Sequence, residues 1–422
     1  MKLSSRQLPM SYLQELADTI HESQLTPFFK RSKIAEENQR RVLTAFREES
    51  VSEFHFQAST GYGYDDAGRE TLERVYARVF GTEEAIVRTQ LISGTHAIAT
   101  ALFGLLRPKE ELLYVTGKPY DTLEEVIGIR GSERDGSLRD YGIAYREVDL
   151  VNGEIDVETV IQTITPKTKV IGIQRSKGYG DRPSLTISKI EKSIKEIKEA
   201  YPNVLVFVDN CYGEFVETRE PTHVGADVMA GSLIKNPGGG IAKAGGYIVG
   251  SKEIIEACGA RLSAPGIGLE GGATLGTLLD MFQGFFLAPH TVNEAVKGAI
   301  FTSAYLEALG MTTSPKADAE RTDLIQSVSF KDKESMIAFC QAIQSFSPVD
   351  AHVLPSPAPM PGYEDDVIMA AGTFIQGASI ELTADGPIRP PYTAYVQGGL
   401  TFEHIKVAVV GATMQLEQKG LL

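Results

Sequence analysis

Two short apolar runs, one ending in an acid and the next in an amine, restrict the folds open to this chain more than anything else in it. Residues 204–208 (VLVFV) are apolar and β-branched without alternation, the pattern of a strand buried on both faces of a parallel sheet, and they stop at Asp209 and Asn210. Residues 226–233 form a second such run. Lys235 follows it, ahead of Asn236, Pro237 and three glycines that force a turn. The expectation is an α/β fold, a mostly parallel sheet of the seven-stranded type sandwiched by helices, with a smaller α+β domain at the C-terminal end.

In open α/β sheets the ligand crevice lies outside the carboxyl ends of the strands, so Asp209 and Lys235 are aimed into one crevice. The pair suits pyridoxal phosphate, whose aldehyde condenses with a lysine and whose pyridine nitrogen needs an acid to keep it protonated. Ser232 adds a hydroxyl within reach of a phosphate. Lys243 is the competing amine, but it sits inside the glycine-rich loop with no acid-ended strand beside it.

At 422 residues the chain has room for two packed domains. The expected division is an N-terminal helical arm over 1–50, a large domain over 51–309 and a small one over 310–422. A formal net charge of -14 argues against nucleic acid as a partner, because phosphate contacts need a basic surface. Cys211, Cys258 and Cys340 are too scattered for a disulfide framework or a zinc site, and no metal is expected. The longest apolar stretch, 97–106, is too short for a membrane span, and no signal-peptide pattern opens the chain, so the expected location is the cytoplasm. Neither GxGxxG nor GxxxxGK followed by Ser or Thr stands in a credible place, which weakens nucleotide readings.

Further candidates come from other strand ends and loops. Ser93, Gly94 and Thr95 open a helix rich in Ala and Leu, where backbone N–H groups and the helix dipole favour a phosphate, although an ordinary serine cap reads the same way. Tyr120 follows the strand at 112–115 and could stack on a flat heterocycle or simply serve a turn. The strand at 170–174 runs into Arg175, Ser176 and Lys177, which by topology face the crevice, with Ser176 a candidate cofactor contact. In the loop 59–70 (STGYGYDDAGRE), Tyr62, Tyr64 and Arg69 offer hydroxyl and guanidinium groups to an anion. Residues 378–382 read as a strand leading to Arg389, which adjoining prolines stiffen and which could form a fork around a carboxylate, or stand as an exposed loop residue. His96, a lone histidine at an apolar helix start, is given no proton-transfer role.

The order Asp209-Asn210, then Ser232-Leu-Ile-Lys235 followed by Asn-Pro-Gly-Gly-Gly, resembles the fold-type I pyridoxal phosphate enzymes of cysteine and methionine metabolism. More narrowly it is similar to their bacterial methionine gamma-lyase-like, or aluminium-resistance, branch, over nearly the whole chain. The resemblance implies that Tyr64 and Arg69 reach the cofactor phosphate of a neighbouring subunit, that Tyr120 covers the pyridine ring, that Ser93, Gly94 and Thr95 belong to the phosphate loop, and that Arg389 anchors the substrate. It also implies a homodimer at least and a homotetramer as the fuller assembly. Two departures limit the transfer of substrate: Ile234 replaces the threonine that usually precedes the lysine, and the Asn-Pro signature after Gln174 is absent.

The expected activity is elimination of a thiol from a sulfur-containing amino acid of the cystathionine, cysteine or methionine type, giving a keto acid and ammonia. Lys235 takes the α-proton and Asp209 keeps the pyridine nitrogen protonated. An aminotransferase or aldolase on the same scaffold uses the same two residues. A non-catalytic cofactor-binding protein of stress or metal tolerance is the third reading.

Overall fold

The computed structural model describes residues 8–422 and divides into two compact units. The larger, Glu37–Pro289, is built on a seven-stranded sheet in the order Glu84–Arg88, Gly246–Gly250, Val228–Ser232, Leu205–Asp209, Thr168–Gln174, Glu111–Tyr114, Ala144–Glu147. The five strands from Val228–Ser232 onward run parallel, and Gly246–Gly250 is antiparallel to both of its neighbours.

Helices cover both faces, which is why these strands read as unbroken apolar runs. On one face Phe207, Val228 and Ile248 join Ala101 and Leu102 of the helix Gly94–Leu105 and Ile255 of the helix Lys252–Leu262. On the other, Val206 and Val208 pack with Ile187, Ile190, Ile194 and Ile197, the stripe of the helix Ile187–Ala200. Each fully buried isoleucine contributes about 1.5–3 kcal/mol, so the stripe docks a helix whose other face is charged. Between the strands Ala144–Glu147 and Thr168–Gln174 lies a small hairpin, Leu150–Val151 with Glu154–Ile155.

The second unit joins the described part of Met1–Glu36 to His290–Leu422. Its five-stranded antiparallel sheet has the order Thr312–Ser314, Gln326–Ser329, Thr393–Gln397, Thr383–Pro387, Val367–Ala370, with the helix Lys333–Ser345 packed on it. The segment 378–382, expected as a strand, is a turn, and the strand begins at Thr383. The buried Glu381 explains the shift. Its carboxylate accepts the N–H groups of Phe374 (2.8 Å) and Ile375 (2.9 Å), which commits this segment to a tight loop instead of a ladder.

All three cysteines are buried free thiols. Among the described residues no helix is long and apolar enough to cross a membrane, and no cluster of three or more His, Cys, Asp or Glu could hold a metal ion.

Candidate active site

Asp209 is the last residue of its strand, in register with Gln174 on one side and Ala230 on the other. Its buried carboxylate accepts the N–H of Cys211 at 3.1 Å. Burial pushes this carboxyl above the usual carboxylate value, while Lys235, the Cys211 N–H and Arg182 pull the other way. A further cation set against it would favour the ionised form.

Lys235 stands just past the neighbouring strand, Val228–Ser232. Its Nζ lies 4.0 Å from the centre of the Tyr212 ring, a cation–π distance. Burial alone would lower the lysine's pKa, but the acidic groups Cys211, Tyr212 and Asp209 outweigh it and hold the amine above its ordinary value. The glycines that follow fix the loop by close backbone approach: Gly239 has φ +58°, and a Cβ there would meet the carbonyl oxygen of Gly284 at 2.3 Å. Lys243, by contrast, pairs with Asp280 at 2.8 Å on the surface.

Ser232 ends its strand beside the start of the helix Gly94–Leu105. A Cβ on Gly94 would stand 3.0 Å from Ser232 Cβ and 3.6 Å from Cys211 Sγ, so glycine is what lets the helix N-terminus approach both. Ser93 is the N-cap, its Oγ accepting the His96 N–H at 3.0 Å, and the Thr95 hydroxyl lies 3.2 Å from that of Thr122. The N–H groups of Gly94 and Thr95, in the first turn, have no intrahelical acceptor. The chemistry of this donor set fits pyridoxal phosphate: an amine suited to its aldehyde, an acid suited to its ring nitrogen, and hydroxyl and N–H groups suited to its phosphate.

The Tyr120 N–H donates to Gln174 Oε1 at 2.8 Å, and its ring meets that of Tyr179 at 5.7 Å between centroids. Gln174 is also the register partner of Asp209, so its side chain ties the aromatic candidate to the strand that neighbours the acid's. The Ser176 carbonyl accepts from Gln174 Nε2 (2.8 Å) and Arg182 (2.7 Å), placing Ser176 in the same loop system.

Arg175 does not face the crevice as topology suggested. It is fully buried, and its guanidinium donates to Asn210 Oδ1 (2.9 Å), the Gly213 carbonyl (3.0 Å), Glu220 (3.2 Å) and Glu217 (3.0 Å). Four acceptors in the interior outcompete solvent and fix the loop after Asp209 from behind.

The described contacts of Tyr64 and Arg69 stay within their own loop and residues 270–274. Arg69 is buried and donates to the carbonyls of Gly63, Gly272 and Glu270, while Asp66 caps the helix Ala67–Phe80 and accepts from Thr274 Oγ1 at 3.0 Å. The Tyr62 and Tyr64 rings stack on each other at 5.3 Å, and both residues are exposed. Arg389 belongs to the other unit, where Nη1 donates to Asp365 at 2.9 Å and the side chain is half exposed.

Three residues around Lys235 escaped sequence reasoning: Tyr212 beneath its amine, Cys211 beside Gly94, and the buried Glu214. Only their position directly after an acid-ended strand could have signalled them. Tyr212 (φ 71°) and Phe215 (φ 62°) take left-handed conformations that carry no glycine or asparagine signature.

Comparison with known proteins follows the same lines. The uncharacterized protein YnbB of Bacillus subtilis (strain 168) is 65% identical over 391 residues, 92% of this chain and 93% of that one. A Listeria monocytogenes crystal structure, provisionally named a cystathionine beta-lyase involved in aluminium resistance, matches with TM-score 0.93 at 62% identity, covering 95% of this chain and 99% of its own. The pyridoxal-5'-phosphate-dependent protein YhfS of Escherichia coli, 16% identical, shares the fold at TM-score 0.62 over 90% of this chain and 96% of its own, and the architecture is that of the fold-type I enzymes. The family model described as methionine gamma-lyase matches residues 13–417, taking in the strand ends that carry Asp209 and Lys235, and the chain belongs to the methionine gamma-lyase family.

Proposed function

We propose that the protein is a pyridoxal phosphate-dependent carbon–sulfur lyase that eliminates a thiol from a sulfur-containing amino acid of the cystathionine, cysteine or methionine type. The observation that carries this reading is that Asp209 ends one strand and Lys235 follows the end of the parallel strand beside it, with a helix N-terminus packed against Ser232 and Cys211. Membership of the methionine gamma-lyase family and the lyase name of the Listeria relative support it.

When bound, the cofactor supplies a ring that accepts the electron pair left on the substrate's α-carbon. Lys235 would hold it covalently, and Asp209 would keep a proton on the pyridine nitrogen. Ser93, Gly94, Thr95 and Ser232 would bind the phosphate, with Ser176 a further contact and Tyr120 lying against the ring. The Lys235 amine would also serve as the base that takes the substrate's α-proton. Arg389 binds the substrate carboxylate with two parallel N–H donors. Tyr64 and Arg69 act through a second copy of the chain, in a cytoplasmic homodimer or homotetramer.

Borohydride trapping of the reconstituted protein, followed by peptide mass mapping, tests the core of the proposal. A pyridoxyl adduct on Lys235 is expected, and an adduct on another lysine, or none, rejects it. Ammonia, thiol and keto acid released from cystathionine, cysteine or methionine identify the lyase. Amino-group transfer to an added keto acid would replace it with an aminotransferase. Arg389→Lys should raise KM by roughly tenfold or more, because a point charge cannot copy the bidentate contact.

A further inference from the structure

Glu214 is fully buried on the loop that leaves Asp209. Tyr247 donates its phenolic hydrogen to Glu214 Oε1 at 2.7 Å, whereas Oε2 is enclosed without a hydrogen-bond partner. Gly231, the register partner of Tyr247, makes this possible: a Cβ there would stand 2.7 Å from Glu214 Oε1. The Glu214 carbonyl accepts from Asn236 Nδ2 at 2.9 Å, so the residue that bears this carboxyl also anchors the residue after Lys235.

The surroundings are aromatic and offer little charge compensation. Phe80 stacks on Tyr247 at 5.5 Å, and Phe215 and Phe285 meet at 5.5 Å. The titratable groups facing Glu214 are Tyr247 across the sheet, Tyr76 from the helix Ala67–Phe80, Cys211 and Glu220 from its own loop, and Lys235. Of these only Lys235 is a cation, and it already faces Asp209. Glu220 is compensated separately, by Arg175 at 3.2 Å and Arg41 at 3.9 Å. A second carboxylate facing Lys235 would be an uncompensated interior charge, whereas a protonated carboxyl is neutral.

We propose that Glu214 is a positioning residue that stays protonated at neutral pH, leaving Asp209 as the one ionised acid of that pair facing Lys235, and that loss of its proton adds a negative charge holding the lysine amine in its charged form. The proton on Glu214 is independent of the cofactor. Its bearing on catalysis rests on the assignment of Lys235 as the cofactor lysine. Burial, opposed by the Tyr247 hydrogen bond, pushes the Glu214 carboxyl up to about 8.

Infrared difference spectra of the cofactor-free protein, taken on either side of that titration, provide the test. A protonated-carboxyl band that disappears on the alkaline side and is missing from Glu214→Gln is the expected result. No such band, or the same band in the variant, overturns the proposal. In protein loaded with pyridoxal phosphate, the absorbance–pH midpoint of Glu214→Gln should move by roughly one unit, a tenfold change in proton equilibrium, and coincident profiles refute the coupling to Lys235. If neither protein takes up pyridoxal phosphate, the cofactor reading fails while the infrared result still decides the proton. Should Glu214→Gln not fold, Tyr247→Phe removes the donor that favours the carboxylate and should shift the infrared titration upward. An unchanged midpoint rules the proposal out.

Discussion

The Nζ of Lys235 sits 4.0 Å above the Tyr212 ring, and Tyr212 reaches that position through a left-handed backbone conformation (φ 71°). The ring restrains the amine on one side while Asp209 and Cys211 act on it electrostatically. Burial lowers the lysine's pKa and these acidic neighbours raise it, so removing the Tyr212 hydroxyl should let it fall. Competitive acylation of the cofactor-free protein, read by mass spectrometry, should show Lys235 becoming reactive at lower pH in Tyr212→Phe than in the wild type. An identical reactivity–pH curve would remove Tyr212 from the lysine's electrostatic environment.

The cluster of Arg175, Glu220, Glu217 and Asn210 underpins the loop that follows Asp209. Arg175→Met leaves the buried Glu220 with the more distant Arg41, at 3.9 Å, as its ion-pair partner among the described residues. Breaking a buried ion pair from one side costs about 3–5 kcal/mol, whereas adding Glu220→Gln in the same chain should recover part of that loss. Urea unfolding of the single and double variants measures both quantities, and a double variant no more stable than the single one would contradict this account.

Two glycines should separate binding from folding. A Cβ at Gly231 falls 2.7 Å from Glu214 Oε1 and 2.7 Å from Tyr247 Cε1, inside a packed aromatic wall, so Gly231→Ala should cost about 1–3 kcal/mol of stability through overpacking. At Gly94 the nearest atom is Ser232 Cβ at 3.0 Å, beside the helix N-terminus. Gly94→Ala should therefore weaken pyridoxal phosphate binding by roughly tenfold, about 1.4 kcal/mol, with a smaller effect on the cofactor-free melting temperature. Equilibrium dialysis and thermal melts read the two effects apart, and equal losses in both variants would sink the distinction.

Asp209 and Lys235 were legible because a doubly covered parallel sheet writes its strands as plain apolar runs and leaves polar chemistry at their ends. Arg175 shows the limit of that logic. Topology places a residue at a strand end, but successive side chains there leave on opposite faces, and one step turns a crevice residue into an interior one. The turn at 378–382 was hidden for another reason. Its apolar alternation suits a strand, and the buried Glu381 that binds the N–H groups of Phe374 and Ile375 overrides it. Glu214 was invisible because its environment is assembled from Gly231, Tyr247 and Tyr76, which lie far apart in sequence.

That environment also makes a prediction about folding alone. Burial holds the Glu214 carboxyl at about 8, far above its value in an unfolded chain, roughly 4.3. Between those two values the folded protein keeps a proton that the unfolded chain has released, so raising the pH through this window favours the unfolded state. The penalty is absent below about pH 4, grows up to about pH 8 and is constant beyond, reaching on the order of a few kcal/mol. Glu214→Gln cannot release a proton and escapes it. The wild type should therefore lose stability relative to the glutamine variant between about pH 5 and about pH 8.5, by urea unfolding of cofactor-free protein. Parallel stability curves over that range would mean that Glu214 is already ionised in the folded chain.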